Sequence, residues 1–229
     1  MFGMYRSTFK NANTFLAVVH VENSEQAVRN ARIANDEGAD GIFLINHDIG
    51  HNELLNAYAQ VVRDLPWLWV GLNCLDLGPS ALLAIPKTAV GLWVDNAGIT
   101  EAGVTQAKRF NDIRIARGWL EGLYFGGVAF KYQEPVKDVA AVAKAAVPYV
   151  DVITTSGAGT GQAAEIGKIK KMKTAIGEHP LAIASGITPE NVLEYAPYAD
   201  CFLVATGISD SHTELNPSRV RELAKRLGK

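Results

Sequence analysis

Short runs of β-branched, aliphatic and aromatic residues alternate along this chain with longer stretches whose apolar positions recur every three or four residues. A run that is apolar at nearly every position reads as a strand buried on both faces, and the three-to-four spacing reads as a helix with one buried stripe. On this basis strands are predicted at Phe15–Val21, Gly41–Asn46, Trp67–Asn73, Val90–Asp95, Leu120–Phe130, Val150–Thr155, Pro180–Ser185 and Cys201–Thr206. A helix-compatible stretch follows each, most clearly Ser24–Glu37, Asn52–Asp64, Val136–Val147, Ala163–Ile176, Glu190–Tyr195 and Pro217–Leu227. Hydrophobic strands joined by helices form a parallel sheet covered on its face. Eight evenly spaced units in about 215 residues predict an α/β fold closed into one (β/α)8 TIM barrel over residues 14–229, after an N-terminal extension over 1–13. A doubly wound open sheet is the alternative, but it rarely needs eight such even units.

Composition leaves that picture intact. The 229 residues are 48% hydrophobic and 20% charged, with a formal charge of −2, so no basic footprint for nucleic acid or an anionic membrane exists. The densest basic run, Lys168 to Lys173, has apolar residues at helical spacing and reads as a solvated helix face. Cys74 and Cys201 do not make a disulfide framework. Residues Met1–Asn13 lack the apolar run of a signal peptide, and no segment reaches the ~18 apolar residues of a membrane span. A cytoplasmic protein without membrane insertion is expected, and a homo-oligomer is compatible with the barrel.

Aspartates precede three strands: Asp40, Asp151 and Asp200. They belong to the amino-terminal face, where barrels keep stability features, and are set aside as catalysts. The chemistry gathers at the other ends. His20 closes strand 1, Asn46, His47 and Asp48 close strand 2, and Asn73 and Cys74 close strand 3. Asp95 and Asn96 close strand 4, Lys131 follows strand 5, and Thr154, Thr155 and Ser156 close strand 6. In a barrel these ends converge on one mouth. Ser185-Gly186-Ile187-Thr188-Pro189-Glu190-Asn191-Val192 after strand 7 and Ala205-Thr206-Gly207-Ile208-Ser209 after strand 8 combine close backbone approach, free N–H groups and hydroxyls. Those are the requirements of a phosphate, so Ser185, Gly186, Thr206 and Gly207 are the expected phosphate-binding set. Asn46, Asn73, Thr155 and Gly157 are expected to contact the rest of the substrate. The run Thr155-Ser156-Gly157-Ala158-Gly159-Thr160-Gly161 has the wrong glycine spacing for a dinucleotide fingerprint. No cofactor is expected.

With these ends in view, the chain resembles the BtpA family, TIM-barrel proteins linked to photosystem I biogenesis. The resemblance rests on Val19-His20-Val21, Gly38-Ala39-Asp40-Gly41 with Asn46, Val70-Gly71-Leu72-Asn73 and Val128-Ala129-Phe130-Lys131. It is sharpest in Thr155–Gly161 and Ser185–Val192, and closes on Asn216-Pro217-Ser218-Arg219-Val220. It implies the barrel, and a role in photosystem assembly for some members. Where the family has a Gly/Pro-rich loop after strand 1, this chain has Glu22-Asn23-Ser24, which starts the helix directly and allows a different substrate. Ser185–Asn191 is also similar to the strand 7 phosphate loop of phosphoribosylanthranilate isomerase.

Three chemistries follow. The first is a lyase, aldolase or isomerase acting on a phosphorylated small molecule. Lys131 serves it as imine-forming nucleophile or electrostatic clamp, with Asp95 or His20 moving protons. A phosphoribosyl-transfer enzyme, with Asp95 and Thr154–Thr160 around pyrophosphate and magnesium, is its nearest alternative. The second is metal-assisted chemistry at His20, His47, Asp48, His51 or Asp95. Ile49-Gly50 places His47 and His51 in a loop and removes the value of their spacing, so no metal is expected. The third is a non-catalytic binding or assembly protein. Trp67 and Trp69 would then share one side of strand 3 as barrel packing or a partner surface.

Overall fold

Eight parallel strands pair in chain order and the first pairs with the last, closing a barrel. They are β1 Thr14–His20, β2 Gly41–Ile45, β3 Val70–Asn73, β4 Gly91–Val94, β5 Leu123–Gly127, β6 Val152–Thr155, β7 Leu181–Ala184 and β8 Cys201–Val204. Helices α2 Ser24–Asp36, α3 His51–Asp64, α4 Ala81–Ala84, α5 Thr105–Arg117, α6 Val139–Ala146, α7 Ile166–Ile176, α8 Val192–Tyr195 and α9 Pro217–Arg226 follow the strands in turn; α1 Phe2–Thr8 precedes them. The computed structural model describes residues 2–159 and 161–229.

Alternation along each strand sorts its side chains into two layers. Phe15, Ala17 and Val19 of β1 join the layer beneath the helices, while Leu16 and Val18 join the barrel interior. The interior is aromatic at its centre. Phe43 meets Trp69, Trp93 and Phe125 edge-on, with centroids 5.1–5.6 Å apart. Below Trp69 the floor is closed from outside the barrel: Phe9 packs on Trp69 at 5.2 Å, and Tyr5 donates to Thr14 Oγ1 and the Asp200 carbonyl. Tyr5 and Phe9 are therefore part of the packed core.

Element lengths depart from expectation where a local interaction intervenes. Asn23 caps α2 by accepting from Gln26 N–H, which fixes the early start read from the sequence. The fifth strand is five residues rather than eleven: it starts only at Leu123, and just past its end at Gly127 the backbone turns left-handed at Ala129 (φ +47°). The third begins at Val70, so Trp67 and Trp69 do not share a strand face. Trp67 is 69% exposed and donates to Asn35 Oδ1, while Trp69 packs into the floor. Between β3 and β4 lie only a 3₁₀ turn and the four-residue α4.

The three strand-start aspartates share one device. Asp40 accepts from Phe15 N–H, Asp151 from Tyr124 N–H and Asp200 from Leu181 N–H, in each case on the preceding strand. Each is also paired with a cation: Asp40 with Lys229, Asp151 with Arg114 at 2.7 Å, Asp200 with Lys173 at 2.7 Å and with Arg6. Both cysteines are buried thiols. Among the described residues no helix is long and apolar enough to cross a membrane.

Candidate functional site

The carboxyl ends of the strands surround a cavity of about 260 Å³, walled by Val18, Ile45, Trp93 and Leu203 and rimmed by polar residues. The histidines of the rim come from three separate parts of the chain. His20 is the last residue of β1, His47 follows β2 and His212 lies between β8 and α9. His20 Nδ1 stands 3.0 Å from His212 Nδ1, and the His20 ring centroid is 4.7 Å from that of His47. Burial, then the neighbouring His212, His47 and Lys131, push the His20 imidazole down to about 3, and burial lowers His47 as well.

Asp95 follows β4. Asn73 Nδ2 donates to its Oδ1 at 3.0 Å, and Oδ2 has no hydrogen-bond partner among the described residues. Burial raises its pKa, opposed by the Asn73 hydrogen bond and the Lys131 charge. Lys131 is aimed by a built turn. Its N–H donates to Ser156 Oγ at 2.7 Å, and the Ala129 carbonyl accepts from both Thr155 Oγ1 and Lys168 Nζ. Burial lowers the Lys168 ammonium to about 8 while Ser156 O also accepts from it.

The loops after β7 and β8 supply the glycine- and hydroxyl-bearing part of the same rim. Ser185 takes φ +100°, rare for a side-chain-bearing residue, and Gly186 follows at φ +70°. A Cβ on Gly186 would lie 2.2 Å from Ala163 N, and one on Gly207 would lie 2.0 Å from the Ile187 carbonyl, so only glycine fits either place. The N–H groups of Gly186 and Gly207 find no acceptor among the described residues. Arg219, in the first turn of α9, donates from Nε to the Gly207 carbonyl at 2.8 Å and lines a cleft with Gly186, Thr206 and Gly207. That cleft and the mouth cavity share Gly161, Gly186, Ile187, Thr206 and Gly207.

This architecture has counterparts among solved structures. One is (S)-3-O-geranylgeranylglyceryl phosphate synthase from Thermoplasma acidophilum in complex with its substrate sn-glycerol-1-phosphate. It is 17% identical, with a TM-score of 0.70 over 98% of this chain and 96% of that one. Phosphoribosyl anthranilate isomerase from Thermus thermophilus is 15% identical, with a TM-score of 0.65 over 94% and 98%. Mycobacterium tuberculosis tryptophan synthase is 14% identical, with a TM-score of 0.66 over 99% and 96%. The likeness is one of fold. No protein-family model and no curated protein sequence matches the chain.

The expected residues divide into two groups. His20, Asp95, Lys131, Ser185, Gly186, Thr206 and Gly207 all line the cavity. Asn46, Asn73, Thr155 and Gly157, expected against the substrate, are not among the residues that line it. Asn46 donates to Ile49 O and Asp76 Oδ1 and accepts from Leu75 N–H. Asn73 is spent on Asp95 and Thr155 on the Ala129 carbonyl. Gly157 packs so closely that a Cβ would meet the Gln162 carbonyl at 2.2 Å. Thr160, of the Thr154–Thr160 segment, lies outside the described residues. His51 starts α3 and pairs with Asp76 at 2.8 Å instead of joining His47. Among the described residues no group of three or more His, Cys, Asp or Glu is arranged to hold a metal ion.

Two residues at the mouth escaped the sequence reading. His212 lies in a polar loop with no periodicity to mark it. Arg219 carried a usable signal: a cation in the first turn opposes the helix dipole, so its place there calls for another reason.

Proposed function

We propose that this barrel is a lyase, aldolase or isomerase acting on a phosphorylated small molecule. The observation that carries the reading is the continuity of the cavity. One space joins the donor-rich loops of β7 and β8 to Asp95, Lys131 and His20. The N–H groups of Gly186 and Gly207, free of acceptors among the described residues, together with the Thr206 hydroxyl and the Arg219 guanidinium, suit a phosphate. The neighbours bearing phosphorylated substrates or products in their names share the scaffold and support the anion end by analogy. The BtpA-like stretches at Thr155–Gly161 and Ser185–Val192 fall on the loops after β6 and β7.

At the reacting end Asp95 is the proton carrier. A carboxylate with a raised pKa, held through one oxygen and open through the other, takes a proton from a carbon beside a carbonyl or from a hydroxyl. It then returns the proton to a neighbouring atom. The Lys131 ammonium stabilises the negative charge that develops on the carbonyl oxygen. His20 is too weak a base, at about 3, to share that work near neutrality and serves as a neutral N–H donor.

Thermal stability of the full chain against sugar phosphates, phosphoribosyl compounds and their unphosphorylated analogues tests the proposal. A phosphorylated compound at about 100 times its dissociation constant stabilises by roughly 2.7 kcal/mol. Ser185→Glu and Thr206→Glu abolish the effect. Equal stabilisation by unphosphorylated analogues, or none by any phosphorylated compound, overturns it.

A further inference from the structure

His20, His47 and His212 are only partly used by the reaction proposed above. They come from three separate elements, 192 positions apart at the extremes, and meet with ring centroids 4.1–5.4 Å apart. His47 and His212 are exposed at the rim, so burial of apolar surface is not what holds them there. All three face the mouth cavity.

The charges around them are few. Lys131 stands close enough to act on both His20 and His47, and Asp48 faces His47 from its own loop. Asp95 is the carboxylate in the cavity lining among the described residues. Imidazole rings offer N–H donors, and burial disfavours the charged forms of His20 and His47, so the Lys131 ammonium beside them is the positive charge those two rings face. That combination matches a group with one negative charge and several lone pairs. The doubly charged phosphate already has its own donors in the N–H groups of Gly186 and Gly207, in the cleft beside Arg219 that shares Gly161, Gly186, Ile187, Thr206 and Gly207 with the mouth cavity but is lined by none of the three histidines.

We infer that the substrate is a phosphate ester that also carries a carboxylate, and that His20, His47 and His212 receive the carboxylate beside Lys131. This rests on the phosphate reading above and narrows it to substrates with an acid at each end. Such a molecule lies across the mouth, with its reacting carbons beside Asp95.

Calorimetric titration of the full chain with matched probes tests it: 3-phosphoglycerate, glycerol 3-phosphate, glycerate, propane-1,3-diol bisphosphate and inorganic phosphate. A charge-assisted contact made by the added carboxylate gives 3-phosphoglycerate an advantage of about tenfold over glycerol 3-phosphate. In the double variant His47→Asn/His212→Asn that advantage falls below about twofold while inorganic phosphate binds as before. Exposed positions tolerate asparagine, and circular dichroism verifies the fold. Equal binding of the two phosphate esters, an advantage that survives in the double variant, or a preference for the bisphosphate overturns the carboxylate assignment. Failure of every phosphate-bearing probe, inorganic phosphate included, overturns the phosphate reading itself.

Discussion

Protonation of His20 should limit the stability of this protein in mild acid. Its ordinary value is about 6.5 and its folded value about 3. Between those two pH values the unfolded chain binds a proton that the folded chain refuses. Stability is therefore fully present above about pH 6.5 and lost as pH falls toward 3, with a slope approaching about 1.4 kcal/mol per pH unit. Integrated from pH 7 to pH 5, this single site costs about 2 kcal/mol. His179, which burial lowers to about 4, erodes stability over the same range, so the parent protein alone does not isolate the effect. His20→Asn does. Urea unfolding of parent and variant at pH 7 and at pH 5 gives four midpoints, and the difference of differences is the His20 contribution. The variant should lose about 2 kcal/mol less than the parent on acidification, whatever its stability at pH 7. Equal losses in the two proteins would mean that the imidazole is free to protonate in the folded state, and the role of His20 as a neutral donor would have to be abandoned.

Other outcomes follow from the same geometry. Asp95→Asn should lower kcat on an identified substrate by about 10²–10⁴-fold with little change in Tm, and the parent's acid limb of kcat against pH should lie above the ordinary carboxylate range, since burial raises the Asp95 pKa. Asp151→Ala strips the buried Arg114 of its partner and Tyr124 N–H of its acceptor; denaturant midpoints should report a loss of about 3–5 kcal/mol. Ser185→Gly relieves a serine held at φ +100° and should raise stability by about 1 kcal/mol; a lower Tm would show that the hydroxyl outweighs the strain.

The barrel was legible because its strands are almost wholly apolar and its helices carry a clear stripe. Both patterns are local, and closure follows from counting them. Boundaries were less so. Nothing in the composition of Leu120–Phe130 marks the left-handed turn at Ala129, and Trp67 has the character of a strand residue while standing exposed before β3. At the mouth, His20, Asp95, Lys131 and the expected residues of the β7 and β8 loops line the cavity, whereas the expected amides do not line it. Asn46 and Asn73 sit at strand ends, yet their hydrogen-bonding capacity goes to Ile49, Leu75, Asp76 and Asp95. Sequence position places an amide near the mouth but does not say which partner satisfies it. The N-terminal segment was opaque for another reason: α1 has seven residues, too short for its apolar positions to declare a period, and its role comes from Tyr5 and Phe9 meeting the floor.

The aspartate device at the amino-terminal rim acts as a gauge for the far end of the barrel. Asp40, Asp151 and Asp200 each stand six positions before a residue of the mouth loops, Asn46, Gly157 and Thr206. At about 3.3 Å per residue that is a lever of roughly 20 Å. Because strand side chains alternate, a slip of one residue against the preceding strand would exchange inward for outward along the whole lever. The bond from each carboxylate to the neighbour's N–H forbids that slip at the β1–β2, β5–β6 and β7–β8 seams. Loops at the mouth are thus free to change residues and chemistry while their starting points stay in phase, and alignment of the site is maintained by groups that never touch its ligand.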